Sequence, residues 1–318
     1  MKNPFQPSRR AAWIAATGLV LLSTPAAFAA LVITPTFSAG FNLAFGANAA
    51  AAQASWIAAA SQLSANFSDN IHVNINVNGA SGTSIFGLGQ PTLLSTTYAN
   101  LRSRLVTDST TPDDATSVGG GGSVSAADPA AGTHTWWLTR AQSKAIGNLA
   151  DDLSTDGTTT FGAGWNYTFS GPIAAGTYDF RGVAAREISE VMGRLGISGG
   201  TTGGFTNSFS VVDLLAYMGF GTRGMGFVAG DYFSFDNGTT LLKLFNAVGG
   251  GDSRDWASGS NDAFNAFSSS GVANPLTAVD FQIMDVIGYN LVPAPEPATA
   301  ALLAGGLALG FGLCRLKR

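Results

Sequence analysis

From Ala49 to Phe67 the chain reads AAAAQASWIAAASQLSANF, and its large apolar positions recur at helical intervals. Ala52, Trp56, Ala59, Leu63 and Phe67 fall on one face, which predicts an amphipathic helix. The period then changes to two. In NIHVNINVNG, Ile71, Val73, Ile75 and Val77 alternate with His72, Asn74, Asn76 and Asn78, the mark of a half-buried strand ending at a turn. TTYANLRSRLVTD predicts a second helix, THTWWLTR a strand, RAQSKAIGNLADDL a third helix and TTTFGAGWNYTF a strand or hairpin. The intervening DDATSVGGGGSVSAADPAAG reads as a flexible loop, too rich in Gly and Ser to pack. Residues 180–195 form another helix, followed by the glycine-rich exit GISGGTTGGFTNS. DYFSFDNGTTLLKLF predicts a hairpin with Asn237-Gly238 at its turn. LTAVDFQIMDVIGYNL is a short closing helix with Thr277 or Asp280 as its cap and Gly288 at its end. Helices mixed with antiparallel strands, without βαβ regularity or internal repeat, place residues 31–292 in the α+β class.

The ends of the chain carry addresses. Residues 1–30 have Lys2, Arg9 and Arg10, an apolar run from Ala11 to Leu22, and the small residues Ala27-Phe28-Ala29 at cleavage spacing. That is a secretory signal peptide. The Arg9-Arg10 pair raises the twin-arginine route, but AAWIAA lacks the rest of that motif, so the general secretory route is preferred. Residues 293–318 contain Pro295-Glu296-Pro297, an apolar run from Ala298 to Leu313, and the basic Arg315, Lys317 and Arg318. The run is short for a hydrocarbon core of about 30 Å, and its basic end would stay cytoplasmic. One reading is a plain C-terminal anchor. The three-part arrangement resembles the PEP-CTERM sorting signal of Gram-negative bacteria. The resemblance implies an exosortase-type enzyme as partner, a membrane helix before processing, and final placement at the cell surface or in the extracellular matrix.

Composition narrows the function further. Of 318 residues, 46% are hydrophobic and only 11% charged, with a formal net charge of -4. Nothing there would neutralise phosphates, so nucleic acid is not a partner. The single cysteine, Cys314, rules out an intrachain disulfide.

The segment VAAREISEVMGRLG, residues 183–196, raises the chemical question. A zinc-hydrolase helix of the form HExxH works because positions i and i+4 lie about 40° apart around the helix. Both can then hold one metal, while the glutamate at i+1 polarises water. In that register the first ligand position is Arg186, the base Glu187 and the second ligand position Glu190; a third would fall at Gly196. Arginine ligates no metal and keeps its charge, so Arg186 both removes a ligand and repels a cation. The plain alternative is an amphipathic helix. Ala184, Ile188, Val191 and Leu195 make a core face, and Arg186, Glu190 and Arg194 an exposed i, i+4 ladder worth roughly 0.3–0.5 kcal/mol per pair.

REISEVMGR also resembles the HEISEVMGR helix of a PEP-CTERM-bearing metalloprotease family, in which the motif is already HExxE. The segments VVDLLAY, YFSFDNGTTLLKLFN, GGDSRDWAS, DAFNAF and DFQIMDVIGYN are similar to that family's downstream segments, in the same order. The resemblance covers most of residues 32–291. It implies a metzincin-like zincin domain with a mixed sheet, an active-site-type helix and a small C-terminal subdomain. It further implies zinc as cofactor, a peptide or protein as substrate, Glu187 as general base, Glu190 at the second metal position and Gly193 at the exit turn. Arg186 departs from the family, so peptide hydrolysis is expected to be weak or lost. The alternative is a non-catalytic surface or matrix protein that uses the same fold for binding.

Other candidates are weaker. His72 and His134 read as surface histidines; His72 is the more interesting because an edge strand borders the cleft in metzincin-like folds. Asp252, Asp255 and Asp262 suit turns or caps, or a weak calcium site, since they lack the calcium-loop spacing. Asp213, Asp280 and Asp285 read as caps or buried hydrogen-bond partners, and a serine hydrolase is not expected.

Overall fold

The computed structural model describes residues 30–293. The export and sorting segments therefore lie, apart from Ala30 and Pro293, outside the described residues. Among the described residues no helix is long and apolar enough to cross a membrane.

The chain begins with strand β1 (Val32–Phe37). The Ser38 hydroxyl accepts from the Phe41 amide at 3.0 Å and starts the short helix α1 (Ala39–Phe45). Helix α2 (Ala49–Ser64) follows, burying Ala52, Trp56, Ala59 and Leu63 as their spacing predicts, and Phe67 is buried beyond its end. Strand β2 (His72–Ala80) buries Val73, Ile75 and Val77. It pairs with β1 in parallel, so α1 and α2 form a crossover between them. Strands β3 (Gly87–Pro91) and β4 (Leu93–Thr96) lead to helix α3 (Tyr98–Asp108), which Thr97 caps.

The Gly- and Ser-rich segment that follows is not loose. Thr111 and Asp114 form a capping box for helix α4 (Pro112–Val118), with Pro112 in its first turn. The glycines then fold the chain back so that Ser123 and Val124 are fully buried. The Ser123 hydroxyl donates to the Ser234 carbonyl at 3.0 Å. Backbone pairing supplies what the composition withholds. Strand β5 (Thr135–Thr139) runs into helix α5 (Arg140–Ala145), which stops well short of the predicted Leu153. Lys144 is drawn inward, its Nζ 2.7 Å from Asp156 Oδ2 and 2.6 Å from the His72 carbonyl, and Gly147 turns the chain at φ 64°.

Strand β6 (Thr155–Gly162) completes a sheet of order β1-β2-β6-β3. Its first three strands are parallel and β3 is an antiparallel edge. The antiparallel pairing predicted for the fold is thus replaced, in this sheet, by a mostly parallel one, because helical crossovers separate its strands. The short strands β7 (Tyr167–Thr168) and β8 (Tyr178–Asp179) pair in parallel. Asp179 then caps helix α6 (Phe180–Met192), its carboxylate accepting from the Arg181 amide at 3.1 Å. Helix α6 packs against α2, β3 and β6, and every residue in it is buried except Arg181 and Arg186. A Cβ at Gly157 of β6 would lie 2.8 Å from Val191, so glycine permits this close approach.

Beyond α6, strand β9 (Ser208–Ser210) joins β5 and β4 in a second mixed sheet. Strands β10 (Ala216–Gly219), β11 (Thr222–Arg223), β12 (Tyr232–Phe233) and β13 (Lys243–Leu244) make an antiparallel sheet of order β11-β10-β12-β13. Asn237 and Gly238 take the positive φ values (59° and 79°) predicted of them. The hairpin pairs only Tyr232 with Leu244 and Phe233 with Lys243. Residues 234–242 form a loop held by Asp236, which accepts from the Thr240 amide at 2.9 Å. Helix α7 (Ala278–Val286) has the Thr277–Asp280 capping box and turns out at Gly288, φ 113°. The domain is α+β, with several mixed sheets around one core.

Candidate functional site

Helix α6 carries Arg186, Glu187 and Glu190 beneath the edge strand β3. Glycines 87 and 89, two residues apart, share the face of β3 turned toward the helix. A Cβ at Gly87 would lie 2.3 Å from Glu187 Oε1, and one at Gly89 2.4 Å from Glu190 Oε2 and 3.0 Å from the Glu187 carbonyl. At these two positions the bare backbone of β3 lies directly against both carboxyl groups. Gly89→Ala should lower stability by about 1–3 kcal/mol, checked by urea unfolding, because the backbone contact cannot relax as a flexible side chain would.

Arg186 joins four acids. Its Nε and Nη2 lie 2.9 and 2.8 Å from Glu187 Oε1, and its Nη1 lies 2.5 Å from Asp255 Oδ2. Glu190 and Asp252 stand further off, at 3.9 and 3.7 Å. Arg194 completes the centre: Nη1 donates to Asp255 Oδ1 at 2.6 Å, Nε donates to Ser189 Oγ at 2.8 Å, and the guanidinium stacks on Phe264 at 4.2 Å. Glu187 and Arg194 are fully buried and Asp255 nearly so. The Arg186–Glu190–Arg194 ladder is therefore not an exposed helix face. Its arginines are held by a residue some sixty positions away, and the helical contacts to Glu190 are the long ones, at 3.8 and 3.9 Å.

The electrostatics follow from burial. Burial raises the Glu187 carboxyl, with Arg186 pulling the other way. Burial and then the charge of Glu187 push Glu190 well above the carboxylate range. A proton shared by this pair relieves two like charges in a dry place. Burial opposes a charge on Arg186, but Glu187 and Asp255 outweigh it and hold the guanidinium protonated. Glu187 Oε2 and Glu190 Oε1 have no hydrogen-bond partner.

Carboxylate oxygens of Glu190, Asp252 and Asp255 lie within 4.8 Å of one another, a group that could hold a metal ion. The donor set is all oxygen, which suits a hard cation such as calcium and lacks the nitrogen or sulfur of a typical zinc site. Arg186 already pairs with Asp255 Oδ2. The residues present do not fit the zinc that the resemblance implies.

The two histidines stand elsewhere. Strand β2 is interior to its sheet, between β1 and β6, so His72 does not lie on an edge strand. It begins β2, with Nδ1 2.7 Å from Asp151 Oδ2. His134 sits before β5, with Nε2 2.9 Å from Asp128 Oδ2 and the ring edge-on to Trp136. Neither lies among the groups bound to Arg186. Of the other acids, Asp213 accepts from the Ile197, Ser198 and Ser210 amides and from Arg254 Nε at 2.8 Å. Asp262 accepts from the Phe264 amide and the Thr277 hydroxyl and pairs with Lys243. Asp280 caps α7 and accepts from Trp256 Nε1 at 2.6 Å. Asp285 accepts from the Thr111 hydroxyl at 2.6 Å. These are the structural roles predicted for them. Asp255 instead belongs to the centre, which its glycine-rich setting concealed.

At Gly193 the helix ends with φ 121°, the exit turn the resemblance implies. Gly196 passes where a Cβ would lie 2.2 Å from Arg254 Cγ. Over the centre opens a cleft of about 500 Å³ between the start of β3 and the segments at 250–252 and 265–268. Its walls are aromatic, and none of Phe86, Trp165 or Tyr178 was singled out by periodicity. The Gly87-Leu88-Gly89 alternation was the available signal that something large must pass beneath β3. No family model, no curated protein and no solved structure matches this chain.

Proposed function

We propose that this chain is an exported, surface-sorted, metalloprotease-like domain that has lost peptide hydrolysis and holds polypeptide without cutting it. One observation carries the reading: the Arg186 guanidinium, at the first-ligand position of the helix, bridges Glu187 and Asp255 where a catalytic cation would be needed. A guanidinium there cannot polarise water as a metal does, and it ties down Glu187, the general base of the related motif. The metzincin-like architecture is supported by the helix lying beneath an antiparallel edge strand and ending at Gly193. The export and sorting segments support delivery through the inner membrane to the surface or matrix by an exosortase-type enzyme.

Metal analysis of the purified protein after dialysis against zinc, beside an Arg186→His variant, tests the reading. The unmodified protein is expected to carry no zinc and cleave no casein, while the variant gains a metal-binding nitrogen next to Glu190 and Asp255. One zinc per unmodified chain, or casein cleavage abolished by chelator, would refute it.

A further inference from the structure

The cleft above Arg186 has features that the loss of hydrolysis does not explain. Phe86, Trp165 and Tyr178 pack edge to face, with centroids 5.1 to 5.4 Å apart and planes 78° to 88° from one another. Trp165 Nε1 donates to the Ile85 carbonyl at 2.8 Å. That bond fixes its ring as a wall and uses its only donor. Phe267 faces the cleft from the other side and is 40% exposed. The charged residues of the cleft lining are Arg186 and Asp252, and Glu187, Glu190 and Asp255 lie around Arg186 outside the lining. Glu187, Glu190, Asp252 and Asp255 face only Arg186 and Arg194, so negative charge remains in excess even with one proton shared between the glutamates. Asp252 stands at the mouth with 65% of its side chain exposed. It lies 3.7 Å from Arg186, too far for a hydrogen bond.

A second observation names the missing partner. Asn265 lines the same cleft and is only 5% exposed. Its Nδ2 donates to the Ser260 carbonyl, which fixes the orientation of the amide, and its Oδ1 has no hydrogen-bond partner. A buried carbonyl oxygen without a donor is costly. It asks for an N–H group from outside. Arg186, the arginine in the lining, directs its donors at Glu187 and Asp255, so among the described lining residues no cation is left to hold an anionic ligand.

We infer that this cleft binds the protonated side chain of a lysine or arginine within an extended polypeptide. Its aliphatic stem lies between Trp165, Tyr178 and Phe267, and its N–H donors reach Asp252 and Asn265 Oδ1. Aromatic faces favour a cation over an anion, and long basic side chains bury their stems while keeping the charge paired. The inference names the polypeptide class for the binding role proposed above and rests on that reading.

Isothermal titration of the purified chain with acetylated, amidated pentapeptides tests it. Their central residue is Lys, Arg, norleucine or Glu between alanines, and mass spectrometry of the recovered peptide follows each run. The Lys and Arg peptides are expected to bind at least tenfold more tightly than norleucine, with the Glu peptide weakest and raised salt weakening the basic pair. Asp252→Asn, at an exposed position that leaves the fold alone, should weaken the Lys peptide about tenfold and leave norleucine unchanged. Trp165→Ala should weaken both. The inference is overturned if norleucine or Glu equals Lys, if Asp252→Asn changes nothing, or if no peptide binds. Lys peptide recovered bound but cleaved would instead uphold this inference and overturn the loss of hydrolysis.

Discussion

Replacing Asp255 by asparagine is expected to cost about 3–5 kcal/mol of folding stability, the usual result of removing one partner from a buried ion pair. The asparagine keeps the shape and loses the charge. Arg194 would then have its Nη1 facing a neutral amide in place of the carboxylate 2.6 Å away. Arg186 would lose its 2.5 Å contact as well, leaving the buried Arg194 and the partly exposed Arg186 with Glu187 and with Glu190, whose carboxyl is pushed up by burial. Urea unfolding at neutral pH measures the loss directly. Asp252→Asn is the control: its side chain is mostly exposed and its one ion pair among the described residues is long, so a change within about 0.5 kcal/mol is expected. Adding Arg186→Met to Asp255→Asn should recover part of the loss, since the pair is coupled through contact. A loss below 1 kcal/mol for Asp255→Asn would mean that water reaches the centre.

The same residues explain why part of the fold could be read from the chain and part could not. Helix α2 and strand β2 each have one wet face, so Trp56 and Leu63, or Val73 and Ile75, stand out against polar neighbours. Helix α6 has almost no wet face. Its charged residues fall at i, i+4, a spacing that predicts a solvent-facing ladder because Arg and Glu are rarely buried. The exception needs Asp255, which lies far along the chain in a glycine-rich stretch whose local text suggests only a turn. The order of residues 119–124 was hidden for a similar reason, since the bonds that fix Ser123 run to Ser234 and Phe235. The candidate site was half legible. Glu187 and Glu190 were found from motif spacing, and the consequence of Arg186 from its charge. Its partners, and the two glycines that close over them, required three-dimensional contact.

Folding stability is also expected to fall as pH rises from 5 to 8, the opposite of ordinary acid denaturation. One cause lies away from α6, around Asn290, where Asp69, Asp108 and Asp285 meet. Asp69 accepts from the Asn290 amide at 3.0 Å, and Asp108 from its Nδ2 at 3.4 Å. Asp114 sits close by, accepting from the Thr110 and Thr111 amides. Among the described residues no Lys, Arg or His pairs with these acids. Burial raises Asp69 to about 6 and Asp108 and Asp285 to about 7, against an ordinary value of 3.8. A group whose pKa is raised on folding binds its proton more tightly in the folded state. Its stabilisation is complete below 3.8 and is lost as pH climbs through 6 to 7. A three-unit shift corresponds to about 4 kcal/mol per group in full. Solvent at the partly open cluster screens much of that, so the three together should remove about 2–4 kcal/mol between pH 5 and 8. Asp151 and Asp236, whose pKa values are lowered by hydrogen bonds that outweigh burial, act only at the acid end, where stability falls again. Urea unfolding across this range checks the slope. Asp108→Asn, which mimics the protonated acid, should flatten it and raise stability at pH 8 by about 1–2 kcal/mol, leaving pH 5 unchanged. A flat or rising profile in the unmodified protein, or an Asp108→Asn variant with the same slope, would show that these carboxyls ionise freely in the folded state.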